Sequence, residues 1–199
     1  MSGILRSIIR GCLCVVACML LVGCIGDAKV KPVIMKNPSG VSGKFTKEAE
    51  LAFAKAHVLW RNGVCEAPAA AAKHLKKALE LEPEYGEAWL RRGRLLIQFA
   101  EYSAALEDLD KAVRYYPSSI SYAYRGYAEF GLGNYMGAAK NYEIALEKDS
   151  ENATAWNFRG ELLLARLKVD AGCDALEKGA ALGKRAPYDN ALETGICVK

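Results

Sequence analysis

An internal repeat constrains the fold of this chain more than any other feature. Residues 86–118 and 119–152 align at a spacing of 33, and residues 153–186 follow at a spacing of 34. Aromatic, arginine, small and bulky residues keep their register through both steps. They form six columns: Trp89, Tyr122 and Trp156; Arg92, Arg125 and Arg159; Gly93, Gly126 and Gly160; Ala105, Ala138 and Gly172; Leu109, Tyr142 and Leu176; and Ala112, Ala145 and Gly179. A period of this length predicts an array of helix pairs.

The residue types in these columns suit two antiparallel helices in each repeat. Small residues are expected where two helix axes approach closely, and bulky residues fill the grooves beside them. The pattern Trp89, Gly93, Ala105, Ala112 and Pro117 resembles the tetratricopeptide repeat, a helical hairpin of about 34 residues. The resemblance implies an all-α fold, a solenoid of about four such hairpins with a short C-terminal capping helix.

The resemblance also predicts the boundaries of the array and of its repeats. The array is expected over residues 45–186, and a C-terminal cap over residues 187–199. The four repeats are placed at about 49–85, 86–118, 119–152 and 153–186. Each repeat buries its apolar face only against its neighbours, so the short last segment is expected to cover the exposed edge of repeat four.

The first repeat departs from the pattern. Thr46 is the expected N-cap of its first helix, Asn62-Gly63 is expected to end that helix, and Pro68 to begin the partner helix. The predicted apolar face of the first helix is Leu51, Phe53, Ala56 and Trp60. The connection to the second helix is longer than in repeat three, which predicts a lengthened turn that holds Cys65 and Glu66.

The N-terminus has the features of an export signal. Arg6 and Arg10 precede an apolar core of about 11 residues, which is too short to span a bilayer that needs ~20. The sequence Leu-Val-Gly-Cys that ends at Cys24 resembles the lipobox of bacterial lipoproteins. The resemblance implies a signal peptide over residues 1–23, a diacylglycerol on Cys24, and a Pro- and Gly-containing tether over 24–44. The alternatives are an uncleaved anchor and a secretory signal with a chance cysteine.

The resemblance to lipoproteins also implies a location. Ile25, rather than Asp, follows the lipobox cysteine, and in enteric bacteria that choice directs a lipoprotein to the outer membrane. We therefore expect attachment to the outer membrane with the array on the periplasmic face. Acyl chains would hold it there, since each buried methylene contributes about 0.8 kcal/mol.

Charge and motifs exclude several functions. The formal net charge is +4, and Arg6 and Arg10 lie in the segment expected to be removed, so the sequence predicts no nucleic-acid partner. The chain contains no HExxH, GxSxG, CxxC or phosphate-loop motif. The spacing of His57, Cys65 and His74 fits no known zinc site. The sequence therefore predicts that the protein is not an enzyme and has neither cofactor nor metal.

Three cysteines follow the predicted anchor, and an exported chain meets an oxidising compartment. Cys65 and Cys173 are separated by three stacked repeats, farther than a disulfide can reach. A bond between Cys173 and Cys197 is geometrically allowed and would attach the cap to repeat four, closing a loop of about 25 residues for roughly 3 kcal/mol. Cys65 would remain as a half-buried turn residue.

The inner surface of the array is the candidate binding site, because the first helix of each repeat lines it. Ala56 takes the place of the glycine column in repeat one. We expect the positions three before and one, four and five after this column to face inward. These are Phe53, His57, Trp60 and Arg61; Leu90, Arg94, Ile97 and Gln98; Ala123, Tyr127, Phe130 and Gly131; and Asn157, Glu161, Leu164 and Ala165. Such a groove suits an extended peptide or a partner helix. The alternative is that Ile97, Phe130 and Leu164 form core between repeats.

The charges of the groove are uneven. Arg61 and Arg94 lie toward one end and Glu161 toward the other. The basic run that contains Arg91, Arg92 and Arg94 is typical of a solvated helix face, and the alternative is a site for an acidic peptide, a headgroup or a glycan. Repeats that clamp a chaperone carboxylate carry Lys and Asn three before and one after the glycine, so no such clamp is expected here. The corresponding pairs in this chain are Leu90 and Arg94, Ala123 and Tyr127, and Asn157 and Glu161.

These features lead to the hypothesis of an outer-membrane lipoprotein that acts as an interaction adaptor or assembly scaffold. It resembles small repeat-bearing lipoproteins that assist pilus and secretin assembly or recruit envelope enzymes. One alternative is an accessory or regulatory subunit of an envelope enzyme, for instance in peptidoglycan turnover. The other is self-association of the array. Architecture alone does not decide among them, because many functions share it.

Overall fold

A computed structural model describes residues 45–61 and 64–198 of the 199-residue chain. The predicted signal peptide, Cys24 and the tether over residues 24–44 lie outside the described residues. No helix in the described part of the chain is long and apolar enough to cross a bilayer.

Nine helices and one short β-hairpin make up the described residues. The elements are α1 Lys47–His57, β1 Trp60–Arg61, β2 Val64–Cys65, α2 Pro68–Leu81, α3 Gly86–Gln98, α4 Tyr102–Tyr115, α5 Ser119–Gly131, α6 Tyr135–Lys148, α7 Ala153–Ala165, α8 Val169–Ala181 and α9 Ala186–Glu193. Successive helices pair as α1 with α2, α3 with α4, α5 with α6 and α7 with α8. The prediction of an all-α solenoid of four helical hairpins is confirmed.

Side-chain caps begin several of these helices. The Thr46 side chain accepts a hydrogen bond from the Ala49 N–H at the start of α1, as its sequence context predicts. Asn152 accepts from two N–H groups at the start of α7. Ser118 and Asn134 cap α5 and α6 in the same way. Each cap satisfies backbone donors that the first helical turn leaves without a partner.

The glycine column marks the tightest crossings inside the repeats. A Cβ added to Gly93 would lie 2.7 Å from Leu109 Cγ, and one added to Gly126 would lie 2.7 Å from Tyr142 Cε1. Gly160 meets Leu176 in the same manner. The small and bulky columns of the sequence are therefore the two sides of one contact, repeated in three hairpins.

The arginine column joins the two helices of a repeat. Arg92 donates two hydrogen bonds to the buried Asp108 carboxylate, at 2.6 and 2.7 Å, and lies over the Trp89 ring. Arg125 donates to Asn141 of α6 in its own repeat at 3.0 Å, and to Asp110 of α4 in the preceding repeat at 2.7 Å. The interpretation of the basic run as a solvated face is therefore wrong for Arg92, because its guanidinium is bound within the repeat.

Repeat one differs from its prediction. Helix α1 ends at His57 rather than near Asn62-Gly63, and Leu51 is 46% exposed rather than part of the apolar face. The lengthened turn contains the β-hairpin, in which Trp60 pairs with Cys65. Trp60 therefore lies on a strand. The helix buries Ala49 and Ala52 beside Phe53 and Ala56.

The hairpin is attached to repeat two through one amide side chain. Gln98 Oε1 accepts a hydrogen bond from the Cys65 N–H at 3.0 Å, and Gln98 Nε2 donates to the Cys65 carbonyl at 3.2 Å. The Cys65 thiol is free and 3% exposed, packed with Ala71 and Leu95. The expectation of a half-buried turn residue at Cys65 is wrong, because the hairpin folds it into the core.

The C-terminal helix α9 covers the last repeat. Cys173 of α8 and Cys197 beyond α9 form a disulfide with their Cα atoms 5.7 Å apart. Leu176, Ala191 and Cys197 are buried together, with Leu164 and Leu192 packed beside them. This cluster removes the apolar edge of repeat four from water.

Candidate functional site

A cleft of about 680 Å³ lies on the inner face of the array. Its floor comes from α5 and α7, which are the first helices of their repeats. Its ends come from the hairpin of repeat one and from the segment after α8. The lining residues are Val64, Tyr124, Thr154, Asn157, Phe158, Glu161 and residues 183–187.

The inner face carries a regular series of side-chain contacts, which we call the inner ladder. In each step, a residue one after the glycine column contacts a residue two before the glycine column of the next repeat. Arg91 Nη2 lies 2.8 Å from His57 Nδ1, and Arg94 Cζ lies 4.5 Å from the centre of the Tyr124 ring. The rings of Tyr127 and Phe158 have their centres 4.3 Å apart. Glu161 follows as the last member of the series.

One end of the inner ladder is cationic. Burial, and next the charge of Arg94, lower the pKa of Arg91 to about 10. Burial, followed by the charges of Arg91 and Arg94, also lowers the pKa of His57. Because a guanidinium only donates hydrogen bonds, His57 Nδ1 is the acceptor and its proton lies on Nε2. Neutral His57 thus anchors Arg91, which also lies over the Trp60 ring at 5.4 Å.

The other end is anionic and aromatic. Burial raises the pKa of the Glu161 carboxyl. Burial, and next the charge of Glu161, raise the pKa of Tyr127 to about 12. Phe158 packs between Tyr127 and Tyr124, with the Tyr124 ring meeting it edge-on at 5.4 Å. The inner ladder therefore carries cationic groups at one end and a carboxyl beside aromatic rings at the other.

Two family models, both described as tetratricopeptide repeat, match residues 66–128 and 125–190. The chain belongs to the tetratricopeptide-repeat family. The chain is 33% identical over 126 residues to the wheat (Triticum aestivum) Hsp70-Hsp90 organizing protein, a match that covers 63% of this chain and 19% of the relative. It is 28% identical over 86 residues to human tetratricopeptide repeat protein 13, over 43% of this chain and 10% of the relative. The chain thus spans between a tenth and a fifth of these relatives.

Solved structures show the same tetratricopeptide fold. The APC/C hetero-tetramer Cut9-Hcn1 matches with a TM-score of 0.64 and 16% identity, over 73% of this chain and 30% of that chain. MamA from Desulfovibrio magneticus RS-1 matches with a TM-score of 0.56 and 18% identity, over 76% and 94%. The first repeat domain of Spaghetti (RPAP3), solved with the HSP90 peptide SRMEEVD, matches with 0.55 and 23%, over 63% and 99%. Identities this low show the fold alone.

The structure places one predicted column of this tetratricopeptide-repeat protein on the inner ladder. This is the column one after the glycine, and its members are His57, Arg94, Tyr127 and Glu161. All four side chains are half-buried, and each is in contact with the cleft or with another ladder residue. Glu161 lines the cleft directly, and Arg94 and Tyr127 pack against its lining rings Tyr124 and Phe158.

The prediction that the column three before the glycine faces the groove is wrong. Phe53, Leu90, Ala123 and Asn157 are all buried in the packed interior. Leu90 packs with Ala105 and Leu109, and the Asn157 side chain donates to the Lys184 carbonyl at 3.1 Å. These residues therefore hold helices together, although Asn157 also lies at the edge of the cleft.

The remaining predicted groove residues are also engaged within the fold. Ile97, Phe130 and Leu164 pack against three separate core clusters, as the alternative interpretation predicts. Arg61 is on β1 and pairs with Glu66 at 3.4 Å on the surface. The Gln98 side chain is hydrogen-bonded to the backbone of Cys65. Gly131 lies against the Tyr102 ring, and Ala165 ends α7 at an exposed edge.

Sequence reasoning missed the second half of the inner ladder. Arg91, Tyr124 and Phe158 occupy one register position, two before the glycine column, and keep the spacings of 33 and 34. That column was visible as a repeat of large side chains. Val64 and Lys184 carry no such signal, since they reach the cleft from segments outside the repeated helices.

Proposed function

We propose that this tetratricopeptide-repeat protein is an adaptor that binds an extended segment of a partner protein in the cleft. The observation that carries the proposal is a cleft of about 680 Å³ on paired helices, with the rings of Tyr124 and Phe158 in its lining. Tyrosine and phenylalanine rings supply large contact areas and lose little conformational entropy on binding. The peptide seen with the Spaghetti repeat domain, a structural neighbour, supports the same class of ligand.

The chaperone carboxylate is not the ligand we propose. The positions that would supply the clamping Lys and Asn hold Leu90 and Arg94 in repeat two and Ala123 and Tyr127 in repeat three. Leu90 and Ala123 are buried and present no charge to the cleft. The aromatic series of this chain favours a segment that is anchored by apolar and charged side chains.

Site-specific crosslinking tests the adaptor function. A benzoylphenylalanine at position 124 is expected to crosslink a discrete partner in cells, because that side chain lines the cleft. The same group at Tyr135, which is exposed on α6 away from the cleft, serves as the matched control. A Tyr127→Ala change in the same chain should reduce the crosslink several-fold by removing a neighbouring ring.

The crosslinked mass separates the competing functions. An envelope hydrolase or synthase would support the accessory-subunit alternative, and a pilus or secretin component would support the assembly role. A product of twice the chain mass would show self-association. Equal crosslinking from positions 124 and 135, or none from position 124, would contradict binding in the cleft.

We further propose that the protein is held on the periplasmic face of the outer membrane through an acylated Cys24. The lipobox-like sequence before Cys24 supports this location. Cys24→Ser is expected to move the protein from the membrane fraction to the soluble periplasm and to abolish palmitate incorporation in a Gram-negative host. Cys18→Ser, in the same N-terminal segment, is the control and should leave both unchanged. Unaltered membrane attachment of Cys24→Ser would refute the anchor.

A further inference from the structure

The inner ladder ends without the contact that its earlier steps make. His57, Arg94 and Tyr127 each meet a side chain from the following repeat. Glu161 is their counterpart in repeat four, and the chain continues there into residues 183–187 rather than into another repeat. Within residues 45–61 and 64–198, the Glu161 carboxylate forms neither a hydrogen bond nor an ion pair.

The surroundings of Glu161 are aromatic. Tyr124 and Phe158 line the same cleft, and Tyr127 packs on Phe158. Beneath them, the Tyr142 hydroxyl is buried and has no hydrogen-bond partner in the described residues. Burial, and next the charge of Glu161, raise the pKa of Tyr142, so this hydroxyl lies within the electrostatic reach of Glu161.

Two of the three cations near the cleft are engaged elsewhere. Arg185 pairs with Asp189 at 3.2 Å, and Arg94 lies over Tyr124. Lys184 also lines the cleft, and burial, and next the charge of Arg94, lower its pKa. Within the described part of the chain, no cation pairs with this carboxylate, which lies beside the rings that line the cleft.

We propose that Glu161, Tyr124, Tyr127 and Phe158 form a subsite for the charged end of a lysine or arginine side chain of the partner. The inference rests on the proposed binding of a partner segment in the cleft. A cation over aromatic faces is attracted by their ring electrons, and a carboxylate in a partly desolvated site strengthens the pairing. The cation of the partner would then make the contact with Glu161 that the last step of the inner ladder lacks.

The binding test uses the full chain in nonionic detergent and phage-displayed random octapeptides. Selected peptides are expected to share one Lys or Arg beside apolar residues. Replacing that Arg by uncharged citrulline should weaken binding about tenfold. Glu161→Gln should weaken the Arg peptide by a similar factor and leave the citrulline peptide unchanged, because the charge pair is lost only once. Glu143→Gln, which removes an exposed carboxylate from α6, is the control and should bind like the unmodified chain.

The outcomes distinguish this subsite from the adaptor function. If no peptide is enriched, the proposed function of the cleft fails. If enriched peptides share apolar residues without a cation, the cleft binds segments and the subsite is refuted. If the Arg peptide binds Glu161→Gln undiminished, the subsite is refuted as well, since the carboxyl then acts as a neutral hydrogen-bonding group.

A stability measurement separates binding from a structural role. A carboxyl whose folded pKa is raised stabilises the fold below the unfolded pKa, and that contribution is lost as pH rises through the folded pKa. Glu161→Gln should therefore melt above the unmodified chain at pH 7.5, and the difference should shrink at acid pH. A lower melting temperature for Glu161→Gln at pH 7.5 would show a stabilising partner within the chain and overturn the proposal.

Discussion

Gly126→Leu is expected to lower the free energy of unfolding by about 3 kcal/mol or more. The first atom of the new side chain would lie 2.7 Å from Tyr142 Cε1 and 3.0 Å from Asn141 Cβ. Neither neighbour can move freely. Tyr142 is fully buried, and the Asn141 amide donates to Glu129 and to the Gly137 carbonyl. Helix α5 must therefore separate from α6.

Urea and thermal unfolding measure this effect. For a domain of this size, 1 kcal/mol corresponds to about 2–4 °C, so a fall of roughly 6–12 °C is expected. Ala104→Leu adds a similar side chain at an exposed position of α4 and should change stability by less than about 0.5 kcal/mol. Gly126→Ala should fall between the two. A Gly126→Leu protein that melts with the unmodified chain would show that α5 and α6 do not pack at this glycine.

The helix pairs could be predicted from the sequence because their contacts are made by residue types that few alternatives satisfy. Gly93 faces Leu109, and Gly126 faces Tyr142, so neither partner of a pair can change independently. The same constraint repeats in each hairpin and gives a period that a single sequence shows. Thr46 and Asn152 were predictable for a related reason, since their side chains satisfy backbone N–H groups at a helix start.

The hairpin of repeat one could not be predicted in this way. Its two strands have only two residues each, too few for an alternating pattern. The Gln98 amide that is hydrogen-bonded to the Cys65 backbone lies 33 residues later in the chain. No local sequence pattern therefore predicts this hydrogen bond. Tertiary hydrogen bonds rather than strand propensity hold this segment.

The turns between paired helices show a similar limit. Gly133 has a φ of +79°, as a glycine in a tight turn allows, while Ala100 and Leu167 occupy the same register position with φ of 58°. Only glycine signals that conformation in a sequence. The packing of the second helix against the first determines the backbone conformation at this position. That conformation only weakly constrains the residue type.

Of the two columns that form the inner ladder, the sequence predicted one and misplaced the other by one residue. Neighbouring positions on a helix differ by 100° in direction, so Leu90 and Arg91 point to different surroundings. The spacing of apolar residues shows that one face of the helix is buried. The buried face is wide, and the packing of the next repeat determines where it ends. Leu90 is packed inside, while Arg91 reaches His57 on the inner ladder. The charged and aromatic character of positions 91, 124 and 158 would have placed the border correctly.

Cys173→Ala is expected to remove roughly 3 kcal/mol of stability, mainly from the C-terminal cap. The disulfide closes a sequence separation of 24 between α8 and the residue that follows α9. Helix α9 has eight residues, and helices shorter than about 12–15 residues are marginal in water without support. Without the bond, the helix depends on apolar packing, in which Ala191 and Leu192 lie against Leu176. The cap is therefore expected to open before the rest of the array.

Hydrogen exchange together with urea unfolding locates that loss. Amides of α9 and the last turn of α8 should exchange at least tenfold faster in Cys173→Ala, while those of α3 and α5 keep their protection, because each repeat contacts only its neighbours. A reductant should bring the unmodified chain to the behaviour of the variant and leave the variant unchanged. The thiol of Cys65 is free in both proteins, so it does not contribute to the difference between them. Equal protection of α9 with and without the bond would mean that apolar packing alone holds the cap, and that the disulfide contributes little to the edge of repeat four.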